Sequence, residues 1–177
     1  MRRSLFLTVV IATLLAVPVQ SASAGGPGRV GIGDSVMLGA KNELLARGFV
    51  RVDAVVSRQF YAADDEIRAL RRAGHLPGKV VVHLGNNAQI QGSDCDAAVR
   101  AAGRSRIIYF VTLKIPRPHR TPSNNVLKAC VHRHANARLI DWYAYSHRHD
   151  NWFYRDGYHL TPTGQVKYAA FLDAHTS

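Results

Sequence analysis

Short apolar runs rich in β-branched residues alternate with longer amphipathic stretches along most of this chain, and this alternation most constrains its fold. It is typical of α/β proteins, in which helices connect the strands of a parallel sheet. The pattern predicts strands at residues 29–33, 50–56, 79–84, 106–111 and 138–141. It predicts helices at residues 37–47, 62–73, 93–102, 123–134 and 163–174, the first two capped by Gly48 and Gly74.

The third predicted strand contains Val80, Val81 and Val82 in succession. A continuous apolar run of this kind indicates a strand that is buried on both faces of its sheet. We therefore predict a three-layer α/β/α sandwich around a flavodoxin-like, five-stranded parallel sheet.

The N-terminus has the pattern of a secretory signal peptide. Arg2 and Arg3 precede an apolar run at residues 5–17, and small residues follow at 22–24. The apolar run is shorter than the roughly 20 residues that a membrane span requires. We expect cleavage near Ala24 and an exported mature domain at residues 25–177. An uncleaved, membrane-tethered form is the alternative.

Cysteine content and charge fit an exported protein. Cys95 and Cys130 form an even pair, which favours a disulfide over two buried thiols. The formal net charge of +11 favours anionic surroundings. The basic residues are scattered and no nucleic-acid motif is present, so a cell-wall polymer or membrane surface fits better than nucleic acid. The alternative is that the net positive charge serves only to keep the protein soluble. We expect a monomer.

Polar residues follow three of the predicted strands, where the loops of a parallel sheet form ligand sites. They are Asp34 and Ser35 after the first strand, Ser57 and Arg58 after the second, and Asn87, with Gly85, after the third. Of these, we expect Asp34, Arg58 and Gly85 to support the site. A serine at this position exposes its hydroxyl and presents its backbone N–H to an oxyanion. Ser35 also fits a helix N-cap, and Asn87 also fits an Asx turn.

A nucleophilic serine needs a base and a group that orients the base. Asp156 and His159 are three residues apart, a spacing that places both side chains on one side of a helical turn. His83 fits a packed strand residue better than a base. Two H-x-H pairs invite a zinc site, but His132 and His134 point apart on a predicted helix, and His147 and His149 lack a cluster of further ligands. We interpret both pairs as basic surface groups and expect neither metal nor organic cofactor.

Four sequence blocks together resemble the SGNH, or GDSL, hydrolase superfamily. They are Gly33-Asp34-Ser35, Ser57-Arg58-Gln59, Gly85-x-Asn87 and Asp156-x-x-His159. The segments at 111–118, 124–127, 140–143 and 152–164 resemble the extracellular SGNH domain of acyltransferase-3-type peptidoglycan O-acetyltransferases.

The resemblance implies that Ser35 is the nucleophile, His159 the base and Asp156 its orienting partner. It implies an oxyanion hole formed by Asn87 and the backbone amides of Ser35 and Ser57. That superfamily has glycine where this chain has Ser57, so the amide serves here only if a non-glycine residue adopts the required φ and ψ.

The implied function is a secreted or wall-associated serine esterase or O-acyltransferase that acts on small acyl groups, such as acetyl, of cell-wall glycan. Acyltransferase-3 proteins supply acyl groups from a multi-span membrane domain. No such segment is present in this sequence, so we expect the acyl group to come from a membrane acyl-donor protein or a soluble ester. A non-catalytic module that binds cell-wall glycan is the alternative. The sequence does not decide between transfer and hydrolysis.

Overall fold

The computed structural model describes residues 28–177. Five parallel strands form one sheet in the order β2-β1-β3-β4-β5. The strands are β1 (Arg29–Gly33), β2 (Phe49–Ala54), β3 (Lys79–His83), β4 (Ile107–Val111) and β5 (Ala137–Ile140). This is the flavodoxin-like order, and the predicted fold class is confirmed. The predicted signal peptide at residues 1–24 lies outside the described residues.

Helices cover both faces of the sheet and form the outer layers of the sandwich. They are α1 (Ser35–Gly39), α2 (Lys41–Ala46), α3 (Ala63–Arg72), α4 (Gly92–Ala102), α5 (Arg120–Arg133), α6 (Trp142–Ser146) and α7 (Pro162–Thr176). Apolar residues of α3, α4 and α5 form one core, and those of α1, α2, α6 and α7 form the other. Val80 and Val82 belong to the first core and Val81 to the second, so β3 is buried on both faces, as predicted.

The observed helices differ from the predicted ones in three places. The helix predicted at residues 37–47 is divided at Ala40, next to Gly39, a residue that weakens a helix. Helix α5 begins at Arg120, three residues early, because Pro122 is tolerated in a first turn, where its missing N–H is not needed. Helix α6 was not predicted. It is only five residues long and starts where the side chain of Asp141 accepts a hydrogen bond from the Ala144 amide.

Cys95 of α4 and Cys130 of α5 are joined in a disulfide, with their Cα atoms 6.4 Å apart. The predicted pairing is confirmed. Within residues 28–177, none of the helices has both the length and the apolar character that crossing a bilayer would require.

Candidate active site

Ser35 stands at the carboxyl end of β1, as the sequence predicted. The carboxylate of Asp34 accepts a hydrogen bond from the Val36 amide at 3.0 Å, so Asp34 is the N-cap of α1. Ser35 is therefore the first residue of the helix, and its hydroxyl is not used for capping. Its backbone N–H has no partner inside the helix, because the first turn of a helix leaves its amides unpaired.

Asp156 and His159 belong to a tight turn between Phe153 and Leu160, which form an isolated antiparallel bridge. The predicted helical turn is wrong. The oxygen Oδ1 of Asp156 accepts from the amides of Tyr158 and His159, both at 3.0 Å, and Oδ2 contacts Nδ1 of His159 at 2.7 Å. One carboxylate thus shapes the turn and orients the imidazole at the same time, which explains the three-residue spacing.

The hydroxyl of Ser35 and the imidazole of His159 meet across 124 positions of sequence. Oγ of Ser35 lies 2.9 Å from Nε2 of His159, within hydrogen-bond distance. Because Nδ1 of His159 donates to Asp156, Nε2 is left free to accept the serine proton. Burial alone would raise the pKa of Asp156, but its hydrogen bonds from Tyr158 and His159 outweigh that effect and hold it below the usual range.

A buried carboxylate and a buried amide lie directly beneath Ser35. Both oxygens of Asp34 accept from Nδ2 of Asn86, at 3.2 and 2.9 Å. Burial raises the pKa of Asp34, and the hydrogen bonds from Asn86 and Val36 offset this only in part. Asn87 was predicted from the sequence as a site residue, whereas Asn86 was not. The sequence signal was the pair of adjacent asparagines directly after β3.

The oxyanion roles of Ser35, Ser57 and Asn87 remain predictions. Ser57 has a left-handed backbone with φ of 63°, a conformation that favours glycine. Its N–H finds no backbone acceptor within residues 28–177, so it can donate to a ligand. The side chain of Asn87 is exposed and makes two long contacts, 3.5 Å to Oδ2 of Asp34 and 3.3 Å to the Arg58 carbonyl.

Arg58 and Gly85, which were predicted to support the site, fix its two flanking loops. The Arg58 guanidinium contacts the Asp53 carboxylate at 2.9 Å and the Glu66 carboxylate at 3.2 Å, which ties the loop after β2 to α3. Gly85 has φ of 112°, and a side chain there would meet Ile90 at 2.7 Å. The loop after β3 therefore turns tightly, as expected.

Lys114, to which the sequence analysis gave no role, holds the Asp156 turn from outside. Its ammonium donates to the Gly157 carbonyl at 2.8 Å and lies 4.0 Å from the centre of the Phe153 ring. Burial lowers its pKa, although the nearby Asp150 and Asp156 act in the opposite direction. The sequence signal was a lone lysine just after the apolar strand β4.

The remaining histidines are placed largely as expected. His83 is buried in β3, with Nδ1 2.8 Å from the Tyr168 hydroxyl, and burial lowers its pKa to about 3. One surface assignment needs correction, because His134 is half-buried and contacts Asp96 at 2.7 Å. Asp96, His134 and Cys130 lie close together, but the Cys130 sulfur is bonded to Cys95 and offers no thiolate to a metal.

The five-stranded sandwich, with a serine after β1 and an Asp-x-x-His turn before the last helix, has the architecture of the SGNH hydrolase fold. The resemblance seen in the sequence is confirmed. Two bacterial relatives are each 30% identical to this chain: YrhL of Bacillus subtilis, a predicted peptidoglycan O-acetyltransferase, over 143 residues, and O-acetyltransferase OatA of Staphylococcus aureus over 135 residues. These matches cover 80% and 75% of this chain but only 22% of each relative.

Solved structures share the fold. The C-terminal catalytic domain of peptidoglycan O-acetyltransferase A from Streptococcus pneumoniae superimposes with a TM-score of 0.74 at 19% identity. The match covers 86% of this chain and 97% of that domain. A carbohydrate esterase of family 3 from Talaromyces cellulolyticus gives 0.63 at 14% identity and covers 84% of this chain and 96% of the esterase. No family model matches the chain.

Proposed function

We propose that this protein transfers small acyl groups, acetyl in the first place, to hydroxyls of cell-wall glycan through an acyl-Ser35 intermediate. The observation that carries the proposal is the continuous contact from Ser35 to His159 to Asp156, at 2.9 and 2.7 Å. The peptidoglycan O-acetyltransferases among its relatives favour acetyl and a glycan acceptor.

In the first half-reaction His159 Nε2 takes the Ser35 proton while Oγ attacks the acyl carbonyl carbon. The backbone amides of Ser35 and Ser57, with the Asn87 side chain, hold the oxyanion. The bond to the leaving alcohol then breaks, and His159 returns the proton to that alcohol. Asp156 stabilises the imidazolium that exists between these two transfers.

The second half-reaction repeats the same steps with an acceptor hydroxyl. His159 removes its proton, the acceptor oxygen attacks the acyl-serine, and Ser35 leaves with the proton from His159. Water in place of the sugar hydroxyl gives hydrolysis, the reaction named for the structurally similar esterase.

The proposal also includes the setting of the reaction. We place the protein outside the cell, secreted or associated with the wall, and take a membrane acyl-donor protein or a soluble ester as the acyl source. N-terminal sequencing of the exported protein tests the cleavage expected near Ala24.

The catalytic proposal is tested by incubating the protein with an activated acetyl ester and measuring intact mass. We expect an acetyl adduct that Ser35→Ala abolishes and that Ser93→Ala, an exposed control serine on α4, retains. Addition of a chitooligosaccharide then separates transfer from hydrolysis, because only transfer yields O-acetylated sugar. Equal ester turnover by wild type and Ser35→Ala contradicts the mechanism. Glycan binding that survives Ser35→Ala, with no turnover by either protein, favours a binding module.

A further inference from the structure

One cavity lies away from the Ser35 site. It has a volume of about 680 Å³ and is lined in part by Arg100, Arg104 and Arg133. A second hollow of about 380 Å³, lined by Arg68, Arg71, Arg72 and Ala101, lies on the other side of the same end of α4. We call the surface formed by these six arginines the arginine face.

The arginine face lies at the amino ends of the strands, opposite the candidate active site. Arg72 ends α3, which leads into β3, and Arg104 lies in the loop that leads into β4. Ser35, in contrast, follows the carboxyl end of its strand. A five-residue strand spans about 16 Å. A ligand on the arginine face therefore leaves the active site uncovered.

Part of the charge on this face has a structural use. Cationic side chains in the last turn complement the helix dipole, and Arg71 donates to the Ala101 carbonyl at the end of α4. Arg68 pairs with Asp64 and Arg133 pairs with Asp96. These contacts account for three of the six guanidinium groups.

The other three guanidinium groups have no side-chain partner, although Arg72 and Arg100 lie in the last turns of α3 and α4. Arg72, Arg100 and Arg104 are exposed and make neither an ion pair nor a side-chain hydrogen bond within the described residues. Arg106 lies nearby, and burial and then the charge of Arg71 lower its pKa. Like charges held this close together favour an anionic ligand.

The type of anion follows from the side chains. All six cations of the face are arginine, whose planar fork matches phosphate oxygens in pairs. Within residues 28–177, none of the large exposed apolar residues lines either cavity, so the described part of this face offers no apolar side chain to insert into a lipid bilayer. The exposed tyrosines, Tyr61, Tyr145 and Tyr154, also lie elsewhere, so it has no platform for stacking nucleic-acid bases.

We propose that the arginine face binds a polyol-phosphate polymer, in which phosphodiester groups repeat along a chain without bases or lipid tails. This binding is independent of the acyl-transfer proposal. It would hold the protein on an anionic polymer with the Ser35 edge directed away from it.

The test uses poly(glycerol phosphate) as the probe and measures binding to the purified protein by titration at several salt concentrations. In the face variant, Arg72, Arg100 and Arg104 are all changed to Gln. The matched control changes Arg51, Arg117 and Arg148 to Gln, which removes the same charge from exposed arginines outside both the arginine face and the Asp156 turn. Thermal unfolding verifies that both variants are folded.

We expect the face variant to bind about tenfold more weakly at 0.1 M salt and to show a flatter salt dependence, while the control stays within about twofold of wild type. Weaker binding to polyglutamate of equal charge supports phosphate recognition. Equal losses in the two variants overturn the proposal, because they indicate a general effect of net charge. Tighter binding to phosphatidylglycerol vesicles or to single-stranded DNA overturns the choice of ligand.

Discussion

At the scale of single residues, His83 shows how burial sets the charge of a group beneath the candidate site. It is the last residue of β3, and its ring stacks on Tyr168 with centroids 5.4 Å apart. Nδ1 contacts the Tyr168 hydroxyl, whereas Nε2 is buried without a hydrogen-bond partner in the described part of the chain. A second proton on the ring would create a buried positive charge with no partner at Nε2, so the folded protein keeps His83 neutral.

This arrangement predicts a loss of stability in mild acid. The pKa of His83 falls from 6.5 to about 3 on folding, so between these values the unfolded chain binds the extra proton and the folded chain does not. The free energy of unfolding therefore falls as pH drops below 6.5, by about 1.4 kcal/mol per unit, or about 2 kcal/mol at pH 5. Chemical denaturation at pH 7 and pH 5 measures the difference.

The control for this prediction is a pair of variants. His83→Gln keeps a hydrogen-bonding group near Tyr168 but cannot titrate. Between pH 7 and pH 5 its free energy of unfolding should therefore fall by about 2 kcal/mol less than that of wild type. His132→Gln removes an exposed histidine and should behave as wild type does. The same loss in His83→Gln and wild type would contradict the prediction.

The residues beneath and beside Ser35 illustrate the limits of sequence patterns at this scale. Strand ends identified Asp34 and Asn87 as candidate site residues, because loops converge there in any parallel sheet. That Asn86 turns inward to Asp34 while Asn87 stays exposed depends on φ and ψ in a tight loop, which a sequence pattern does not specify.

At the scale of elements, the entry to α7 positions the Asp156 turn. Thr161 caps the helix, and its amide donates to the Trp152 carbonyl at 3.0 Å. Gly164 packs against the same carbonyl so closely that a Cβ would lie 2.0 Å from the Trp152 oxygen. Helix α7 and the start of the turn therefore meet through backbone atoms, and this contact requires glycine.

Gly164→Ala should force α7 away from Trp152. We expect the free energy of unfolding to fall by about 2 to 3 kcal/mol, because the clash is with backbone atoms. We also expect ester turnover to fall, because His159 shifts. Gly39→Ala is the control, since its nearest atom, on the flexible Gln165 side chain, is 3.9 Å away. Denaturant unfolding and turnover should leave this control close to wild type. Similar losses in both variants would show that the Trp152 contact is unimportant.

Lys114 connects a second element to the same turn. Lys114→Met keeps the apolar stem against Phe153 but removes the donor to Gly157, so His159 should be held less precisely. We expect kcat for an activated acetyl ester to fall about tenfold with little change in KM, and Lys114→Arg to recover part of the loss. A thermal shift with unchanged kcat would limit Lys114 to a role in stability.

Most element positions followed from periodicity, and the exceptions have local causes. All five strands were predicted to within about two residues, because buried β-branched runs are distinctive. The turn around Asp156 was assigned the wrong conformation, because a three-residue spacing fits both a helical turn and an Asx turn. Its hydrogen bonds, and the support from Lys114, involve backbone carbonyls and amides that residue types do not reveal.

At the scale of the whole molecule, the parallel topology brings distant segments into one site. Right-handed crossovers place β1 beside β3, so the loops that carry Ser35 and Asn87 are neighbours. The turn of His159 reaches the same edge from a position 124 residues after Ser35. The order of the sequence blocks predicted that the segments of Ser35, Asn87 and His159 meet at this edge of the sheet. The clustering of arginines at the opposite edge was missed, because those residues are scattered along the chain.

The disulfide acts on the molecule as a whole through its unfolded state. Cys95 and Cys130 close a loop of 35 residues, and on the chain-entropy model this contributes about 4 kcal/mol to the free energy of unfolding. We expect the double variant Cys95→Ala, Cys130→Ala to have a lower denaturation midpoint than wild type. Reductant should lower the midpoint of wild type but leave the midpoint of the double variant unchanged. Turnover at 25 °C should be unchanged, because the bond joins α4 to α5 and touches neither α1 nor the Asp156 turn. A midpoint equal to that of wild type would show that the unfolded chain is already compact in this region.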